Sequence, residues 1–424
     1  MIDVSSRLLV SFLVWALTGP AAAGGLEVGA ASASVSPPNG TFLAGYDRDR
    51  RSEGVADDLF AQAVVVSDGQ MALAIVVIDC IGLLHDDVRA IRAKAMAGLA
   101  ARGSRLPLTA ERILVTSTHT HAGPDVAGLW GAHLFSSGRD TAYLERLIEV
   151  AAAQVLQAAE ALEPALVRVG SAPLKLDWVE NVSEPGLLDD RLSVMQFLRA
   201  DGPGTGTSIA TLTNFACHPT VLGPDNHLVS ADYVAGFYRD MSLSLGGVNL
   251  FLQGAIGGWV QPQQGDRTLA LADAYGAMLA GLARGLLAAG SNQLSSPLAF
   301  RSTQVRFPLD NFGFRLMLWL GVLERTLDDG HFVTEAAWFA IGDTQFVTHP
   351  GETSPAYSLA SRALMRDARH SFVLGLGLDA LGYILKPEYF ESPEAFPNGE
   401  YLTSVSVGPR TGPILMHALE SLIP

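Results

Sequence analysis

Apolar and polar positions divide the chain into short uninterrupted apolar runs and longer stretches in which apolar residues recur at helical spacing. Residues 71–78 form one such run, which ends in Asp79, and a run of this kind is typical of a strand covered on both faces. Residues 86–102 alternate apolar and charged positions as a helix does, with two aspartates suited to its first turn. A second apolar run begins at Ile113. Strand, helix and strand in this order predict a crossover unit.

The same two patterns continue to the end of the chain. Residues 334–341 and 344–347 are expected to pair as a hairpin. In contrast, residues 29–43 are rich in alanine, serine, proline and glycine and predict an irregular segment. We therefore expect an α/β fold with mixed β-sheets flanked by helices. Further strands are expected at residues 60–66, 165–169, 192–198, 208–216, 249–253 and 372–378, and further helices at 143–162, from Asp232, at 269–289 and at 355–369.

Residues 311–327 are unusually apolar and contain the run F-G-F-R-L-M-L-W-L-G-V-L-E-R. A buried helix is the favoured interpretation. The alternative is a flap that binds an acyl chain, or a lid that contacts a membrane.

The amino terminus has the pattern of an export signal. Arg7 supplies a positive charge, residues 8–17 an apolar core, and three alanines ending at Ala23 a small-residue cleavage site. The apolar core is too short to span a bilayer. We therefore predict a signal peptide at 1–23, cleavage after Ala23, a secreted or periplasmic protein, and one large domain over 24–424.

Charge and cysteine content narrow the class of protein. The formal net charge is −15, whereas nucleic-acid binding requires a basic face that displaces counterions from phosphates. DNA and RNA are therefore excluded as expected partners. Cys80 and Cys217 are the only cysteines, so there is no disulfide framework. The two cysteines form either one disulfide bridge or two separate buried thiols, and the sequence leaves both alternatives open.

Candidate chemistry lies where apolar runs end. His119 and His121 follow the run that begins at Ile113, and side chains alternate along a strand, so both are expected to project to the same side. His218 follows the 208–216 run in the same way. Imidazoles at such positions are either metal ligands or simply hydrogen-bonded histidines.

Glu352 and Tyr383 also follow apolar runs. Zinc takes nitrogen and oxygen ligands, and a hydrolytic zinc site keeps one position open for water. Glu352 could equally be a helix-start carboxylate and Tyr383 a half-buried aromatic. Composition and spacing leave both interpretations open.

Four short motifs, in order, make the chain resemble a known family. They are T-H-T-H-A-G-P at 118–124, N-F-A-C-H-P-T at 214–220, P-G-E at 350–352 and G-Y-I-L-K-P-E-Y at 382–389. The chain resembles the amino-terminal catalytic domain of the neutral (alkaline, non-lysosomal) ceramidases over nearly all of its mature length. Members of that family are zinc-dependent amidases that split ceramide into sphingosine and a fatty acid. The resemblance implies a single ceramidase-like catalytic domain.

The resemblance also implies roles for individual residues. His119, His218, Glu352 and Tyr383 would be the Zn²⁺ ligands, and His121 would face the substrate carbonyl, so that His121 and Tyr383 are the expected catalytic residues. His121 and the zinc would share the charge that develops on the acyl oxygen.

Two carboxylates are candidates for hydrogen bonds to the histidines that would bind the metal. Asp79 ends the 71–78 run, and Asp232 stands where the helix after residues 230–231 is expected to begin. We expect them to fix the histidine tautomers, as carboxylates behind metal-bound imidazoles commonly do.

The chain departs from the family pattern at the substrate contacts. The family's G-D-x-S-P-N loop, which supplies a serine, corresponds to residues 257–262, and no serine occurs there. Val182 stands where family members tend to carry arginine. Full-length ceramidases also continue into an immunoglobulin-like domain, and this chain ends at Pro424.

We therefore predict an exported zinc hydrolase of an amide or related acyl bond. Its substrate is a small molecule or lipid that need not be ceramide, and peripheral membrane contact is an open alternative for the 311–327 segment. One rival is a binuclear amidohydrolase, whose barrel should carry the histidine pair on its first strand within eight strand-helix repeats. The other is a non-catalytic, metal-stabilised binding protein of the same fold.

Overall fold

A computed structural model describes residues 25–263, 265–293 and 297–424. The predicted signal peptide at 1–23 lies outside the described residues. No helix in these ranges is both long and apolar enough to cross a bilayer.

Strands and helices alternate irregularly along the described chain. The strands are β1 Leu26–Ser34, β2 Gly54–Val55, β3 Phe60–Ser67, β4 Ala72–Ile78, β5 Ile113–Ser117, β6 Glu163–Pro173, β7 Val179–Asn181, β8 Arg191–Arg199, β9 Ser208–Phe215, β10 Leu228–Val229, β11 Val248–Gln253, β12 Val260–Pro262, β13 Ser291–Gln293, β14 Leu298–Pro308, β15 Leu327–Asp328, β16 His331–Ile341, β17 Thr344–Thr348, β18 Glu352–Thr353, β19 His370–Leu374 and β20 Tyr383–Ile384. The helices are α1 His85–Ala101, α2 Thr141–Glu160, α3 Tyr233–Leu245, α4 Leu269–Ala289, α5 Phe312–Trp319, α6 Pro355–Leu364, α7 Glu388–Glu391, α8 Gly399–Ser404 and α9 Thr411–Leu422, with short 3₁₀ turns at Ala110–Arg112 and Pro393–Ala395.

The largest sheet is mixed, as predicted. Its strand order is β11-β9-β8-β6-β1-β3-β4-β5, and β13 pairs with β6. The two outer pairs, β11 with β9 and β4 with β5, are parallel, whereas the pairs between them are antiparallel. The parallel β4 and β5 are joined through α1, which confirms the predicted crossover unit. Continuous apolar sequence forms buried strands because helices and the second sheet cover this sheet.

Helices pack on the sheet in two pairs. α1 packs against α2, which lies over β1 and β3, and α3 packs against α4, which lies over β6 and β8. The apolar side chains between these layers form the larger of the two main cores.

A second sheet packs against the ends of β5 and β9. Its order is β14-β16-β17-β19, with β15 on β16, and β16 and β17 form the predicted hairpin. The Asn214 amide donates to the carbonyl of Val373 over 2.9 Å, and the Thr116 hydroxyl donates to that of Gly375 over 2.8 Å. These bonds fix the ends of β5 and β9 against β19 and the residue that follows it.

The prediction of an irregular 29–43 segment is wrong over its first part. β1 runs through Gly29 to Ser34 in the middle of the large sheet. Its small residues reflect the close approach of α2, because a Cβ at Gly29 would lie 2.0 Å from the Ala158 carbonyl oxygen. Small residues are typical of loops, but here they allow a helix to pack closely on a strand.

The favoured interpretation of residues 311–327 as a buried helix is also wrong. α5 is eight residues long, and Phe314 is its one buried residue. Phe312 is 76 % exposed and Trp319 is 81 % exposed. The helix α5 therefore presents apolar side chains to solvent, while Phe314 and Leu323 of the same segment pack into the second core.

We expect Gly29→Ala to destabilise the protein by about 3 kcal/mol, since the added methyl group meets a backbone oxygen that moves only if α2 moves. Urea unfolding followed by circular dichroism measures the change. Gly285→Ala in α4 is the matched control: a Cβ there has nothing within 4 Å, and alanine favours a helix over glycine. Equal losses in the two variants would contradict this account.

Candidate functional site

The first two histidines lie on a turn and not on the strand itself. β5 ends at Ser117, and His119 has a left-handed backbone with φ +69°. The His119 N–H donates to the Cys80 carbonyl over 2.9 Å, which fixes this turn. The rings of His119 and His121 nevertheless meet with centroids 5.0 Å apart. They share a site as expected, but the turn brings them together and strand alternation does not.

His218 completes a cluster of three imidazoles. It follows β9, and its N–H donates to the Val260 carbonyl over 2.9 Å. Its ring lies 4.9 Å from that of His119 between centroids. One ring nitrogen from each of His119, His121 and His218 lies within 4.8 Å of the other two.

Glu352 and Tyr383 reach the same site through a two-stranded parallel pair. β18 and β20 place Glu352 directly opposite Tyr383, and the Tyr383 hydroxyl donates to the Glu352 carboxylate. Glu352 Oε2 lies 3.1 Å from His218 Nε2 and 3.4 Å from His119 Nε2. Ser354 caps the following helix, so Glu352 is not a helix-start carboxylate.

Backbone carbonyls fix the tautomers of two imidazoles. His119 Nδ1 lies 2.5 Å from the Ile81 carbonyl oxygen, and His218 Nδ1 lies 2.7 Å from that of Val260. A carbonyl oxygen only accepts, so each Nδ1 carries the hydrogen and each Nε2 presents a lone pair to the Glu352 carboxylate.

Facing lone pairs require a positive species between them. Burial lowers the pKa of His218 and so disfavours a proton there. Burial opposes ionisation of the Glu352 carboxyl, and positive charge at His119 and His218 outweighs it and holds its pKa well below the usual range; a cation between the groups supplies the same positive charge when both imidazoles are neutral. A tetrahedral ion with bonds of about 2.1 Å separates its ligand atoms by about 3.4 Å. The observed 3.1 and 3.4 Å separations and the two-nitrogen, two-oxygen donor set therefore fit a zinc ion.

His121 differs from its neighbours because nothing holds its ring nitrogens. Both are buried without a hydrogen-bond partner in the described part of the chain. Burial, and then the neighbouring imidazoles, lower the pKa of His121 well below its usual value. A Cβ at Gly45, where φ is +95°, would lie 2.3 Å from His121 Nδ1. Sequence reasoning missed Gly45, whose absent side chain leaves room for this ring.

Two cavities meet at this cluster, with His121, Tyr383, Gly45 and Tyr401 in the walls of both. We call them the apolar pocket and the polar pocket; their cavity volumes are about 100 Å³ and 220 Å³. The apolar pocket is lined by Leu84, Leu129, Phe314, Leu323 and Phe332, among others. The polar pocket has a mixed lining: its polar side chains include Thr220, Gln261, Gln263, Asp266 and Arg267, and Val221, Pro224, Trp259, Pro262 and Leu271 are apolar.

Asp79 and Asp232 do not support the histidines, contrary to expectation. Asp79 accepts a hydrogen bond from the Tyr238 hydroxyl at 3.1 Å. Asp232 accepts from the N–H groups of Val221 and Leu222, at 3.1 and 2.9 Å, and so shapes the turn after His218. Backbone carbonyls, which a search for acidic residues cannot find, take the role expected of the carboxylates.

The two cysteines do not form a bridge. Cys80 and Cys217 are both free and buried. Burial raises the pKa of the Cys80 thiol to about 12, which makes it an inert core group.

Comparison with known proteins agrees with the fold and the motifs. Residues 27–275 match the family model described as neutral/alkaline non-lysosomal ceramidase, N-terminal. The chain belongs to this ceramidase family. The structure is similar to that of neutral ceramidase from Pseudomonas aeruginosa, with a TM-score of 0.76 and 17 % identity over 94 % of this chain and 74 % of the other. A ceramidase complexed with C2 gives a TM-score of 0.75 and 15 % identity over 94 % and 75 % of the two chains. No curated protein sequence matches.

The ceramidase fold excludes the barrel rival. The large sheet of the described residues is mostly antiparallel, with only its outer pairs parallel, whereas a (β/α)₈ barrel has eight parallel strands. The histidine pair also follows the fifth strand and not the first.

The loop that lacks the ceramidase serine packs directly behind Glu352. A Cβ at Gly257 would lie 2.3 Å from the Glu352 carbonyl oxygen. Trp259, with φ +70°, places its ring 5.6 Å from that of Tyr401 between centroids. In this chain the loop contributes Trp259 and Gln261 to the wall of the polar pocket, and neither side chain carries a hydroxyl group.

We expect Asp79 to make stability fall with pH. Burial raises its pKa from 3.8 to about 6, so between about pH 4 and 6 the folded state holds a proton that the unfolded state has lost. Stability is then highest below about pH 4 and falls towards pH 6. Asp79→Asn should flatten this slope in urea unfolding at several pH values, although it also lowers stability because its NH₂ group cannot accept one of the two bonds that the carboxylate takes from the Phe60 N–H and the Tyr238 hydroxyl.

Part of the slope should remain in Asp79→Asn, since burial also raises the pKa of Asp87 and of Asp232 to about 6. Asp201→Asn, at an exposed position, is the control and should keep the full slope. An unchanged slope in Asp79→Asn would refute this assignment.

Proposed function

We propose that this protein is a zinc-dependent hydrolase of ceramidase type that cleaves an amide or related acyl bond. His119, His218, Glu352 and Tyr383 would hold the ion, and His121 would face the substrate carbonyl. The observation that carries the proposal is that the Nε2 atoms of two imidazoles lie 3.1 and 3.4 Å from one carboxylate oxygen in a buried site, with both Nδ1 atoms turned to backbone carbonyls. Family membership and fold support a hydrolase of this type.

The choice of ligands depends on how each imidazole is held. The three histidines alone could also bind an ion. His119 and His218 have Nδ1 anchored to backbone carbonyls and Nε2 turned to Glu352, an arrangement typical of metal ligands. His121 has neither nitrogen anchored and lines both pockets, so we assign it to the substrate.

Each group of the chain then has a separate task. Bound zinc would act as a Lewis acid and make water a better nucleophile near neutral pH. The neutral His121 ring would donate a hydrogen bond to the acyl oxygen as negative charge develops there. The Tyr383 hydroxyl donates to Glu352 and so orients its carboxylate. The apolar pocket would hold the acyl chain and exclude bulk water.

The apolar pocket supports a substrate with a lipid-like tail, and its rim supports contact with a membrane. Phe314 inserts into this pocket, while Phe312 and Trp319 on the same helix are exposed. The buried ion pair between Arg325 and Asp379 holds the end of this segment in place. We propose that α5 is a lid that rests on a lipid surface. Export through the 1–23 signal peptide stays a prediction.

For the purified protein we expect about one zinc per chain and turnover in a panel of ceramide and simpler acyl-amide, ester and lactone substrates. A chelator should abolish turnover and zinc should restore it. His218→Ala and Glu352→Gln should lose the metal, because each removes or weakens one of the four proposed protein ligands. Metal analysis and product assays measure the two effects.

His121→Ala distinguishes the proposed ligand set, which leaves His121 to the substrate, from the alternative in which the three histidines bind the ion. It should keep its zinc and lose about 100-fold or more in turnover, and loss of the metal in this variant would overturn our assignment. His417→Ala changes a histidine whose side chain is 90 % exposed and should match the wild type. A protein that binds zinc but turns over no acyl substrate would be the non-catalytic binding protein of the same fold.

A double variant with Phe312→Ser and Trp319→Ser should bind zwitterionic phosphatidylcholine vesicles less than the wild type does, because both apolar side chains are lost from the proposed contact. Cosedimentation measures this. Leu243→Ser on α3 removes an equally exposed leucine, at 84 %, from outside the rim and should have no effect. Equal binding by all three proteins would rule out the lid as a membrane contact.

A further inference from the structure

The candidate site joins two pockets of different character: one is mostly apolar, and the other is mixed and carries the charged side chains Asp266 and Arg267. His121 and Tyr383 are in the walls of both, so a bond held at these residues lies at the junction. A substrate that fills both pockets would have an apolar group on one side of the scissile bond and a polar group on the other. A molecule with two long alkyl chains would have to place one of them against the polar lining.

The polar pocket contains an arginine without an acidic partner. Arg267 is exposed and lines the polar pocket. Within the described ranges, no carboxylate forms an ion pair with its guanidinium. Asp266 also lines this pocket, so the pocket presents both charges and not a uniformly basic surface.

The position of Arg267 depends on a glycine. A Cβ at Gly223, where φ is +70°, would lie 2.4 Å from Arg267 Nη1, so the guanidinium lies across this bare backbone. Burial and Asp232 raise the pKa of Tyr46, and the charges of Arg50 and then Arg267 oppose them. The Tyr46 ring in turn lies 4.9 Å from that of His121 between centroids, so the charge of Arg267 reaches a ring that packs on the site.

We propose that the preferred substrates are N-acyl amino acids, with the fatty acyl chain in the apolar pocket and the α-carboxylate bound by Arg267 in the polar pocket. This inference rests on the proposed function. A guanidinium recognises a carboxylate through paired hydrogen bonds. Water adds across the amide: its oxygen joins the acyl carbon as the C–N bond breaks, and a proton passes to the leaving nitrogen. The products are a fatty acid and a free amino acid, so no oxidant or further reactant is needed.

The test compares three probes that differ only beyond the amide nitrogen. They are N-dodecanoylglycine, which is anionic, N-dodecanoylethanolamine, which is neutral, and N-dodecanoylethylenediamine, which is cationic. The zinc-loaded wild-type protein should give its highest kcat/KM with the anionic probe. Arg267→Gln should lower that value by about tenfold or more, as expected for a hydrogen bond between charged groups, and leave the neutral probe within about twofold. Arg267→Lys should keep part of the preference because it keeps the charge.

Two controls make the result decisive. Arg105→Gln removes the same charge from an exposed position between α1 and β5 and should change none of the three values. Equilibrium binding of N-dodecylglycine, which has no bond to hydrolyse, should weaken in Arg267→Gln and not in Arg105→Gln. A neutral or cationic preference in the wild type, or equal losses on all probes in Arg267→Gln, would overturn the proposal.

Failure of this inference differs from failure of the proposed function. Turnover of ceramide or of the neutral amide without an anionic preference would overturn the N-acyl amino acid assignment alone. No turnover of any acyl compound by zinc-loaded protein would overturn the hydrolase assignment and this inference with it.

Discussion

The crowding of two imidazoles and a carboxylate in one buried site is the constraint around which this structure is built. One Glu352 oxygen lies 3.1 and 3.4 Å from the Nε2 atoms of His218 and His119, and the Nδ1 atoms of both rings face backbone carbonyls. Such a cluster would separate unless the surrounding fold held it. The ends of β5 and β9, locked to the second sheet through Thr116 and Asn214, and the β18-β20 pair provide that support. The catalytic proposal and the fold therefore depend on the same few contacts.

Sequence patterns were informative where chemistry followed an uninterrupted apolar run. His218 and the strand before it, and the crossover through α1, lie where the periodicity placed them. The grouping of Glu352 with Tyr383 came from motif resemblance, because a two-residue strand carries too little pattern to predict its pairing. Local composition failed at β1, where small residues serve the approach of α2, and at α5, where apolar residues face solvent. Both errors arise because burial is decided by neighbours distant in sequence.

The supports of the site were the least predictable part. Gly45 makes room for His121 by having no side chain, and the carbonyls of Ile81 and Val260 act through atoms that every residue has. Neither kind of support can be recognised from the residue type in the sequence. Asp79 and Asp232 are of a residue type that suggests such a role, but they accept hydrogen bonds from other backbone and side-chain groups. A search for acidic residues near histidines therefore named the wrong partners.

The separation of apolar and polar pockets shows how a ceramidase fold can change its substrate without losing its chemistry. The proposed metal ligands come from strand ends and a short strand pair, whereas the polar wall comes from the loop around Trp259 and Gln261 and from the segment before α4. Loops accept substitution more readily than buried strands. The specificity of the site can therefore vary independently of its ligand set.

Tautomer control by main-chain oxygens has an evolutionary consequence. Replacing Ile81 or Val260 by another residue changes the side chain but leaves the acceptor for the imidazole N–H where it was. Most point mutations at these two positions would therefore leave the hydrogen on Nδ1 of each imidazole, as binding of an ion through Nε2 requires. Distant relatives could share this electronic arrangement while differing completely in the amino acids that provide it.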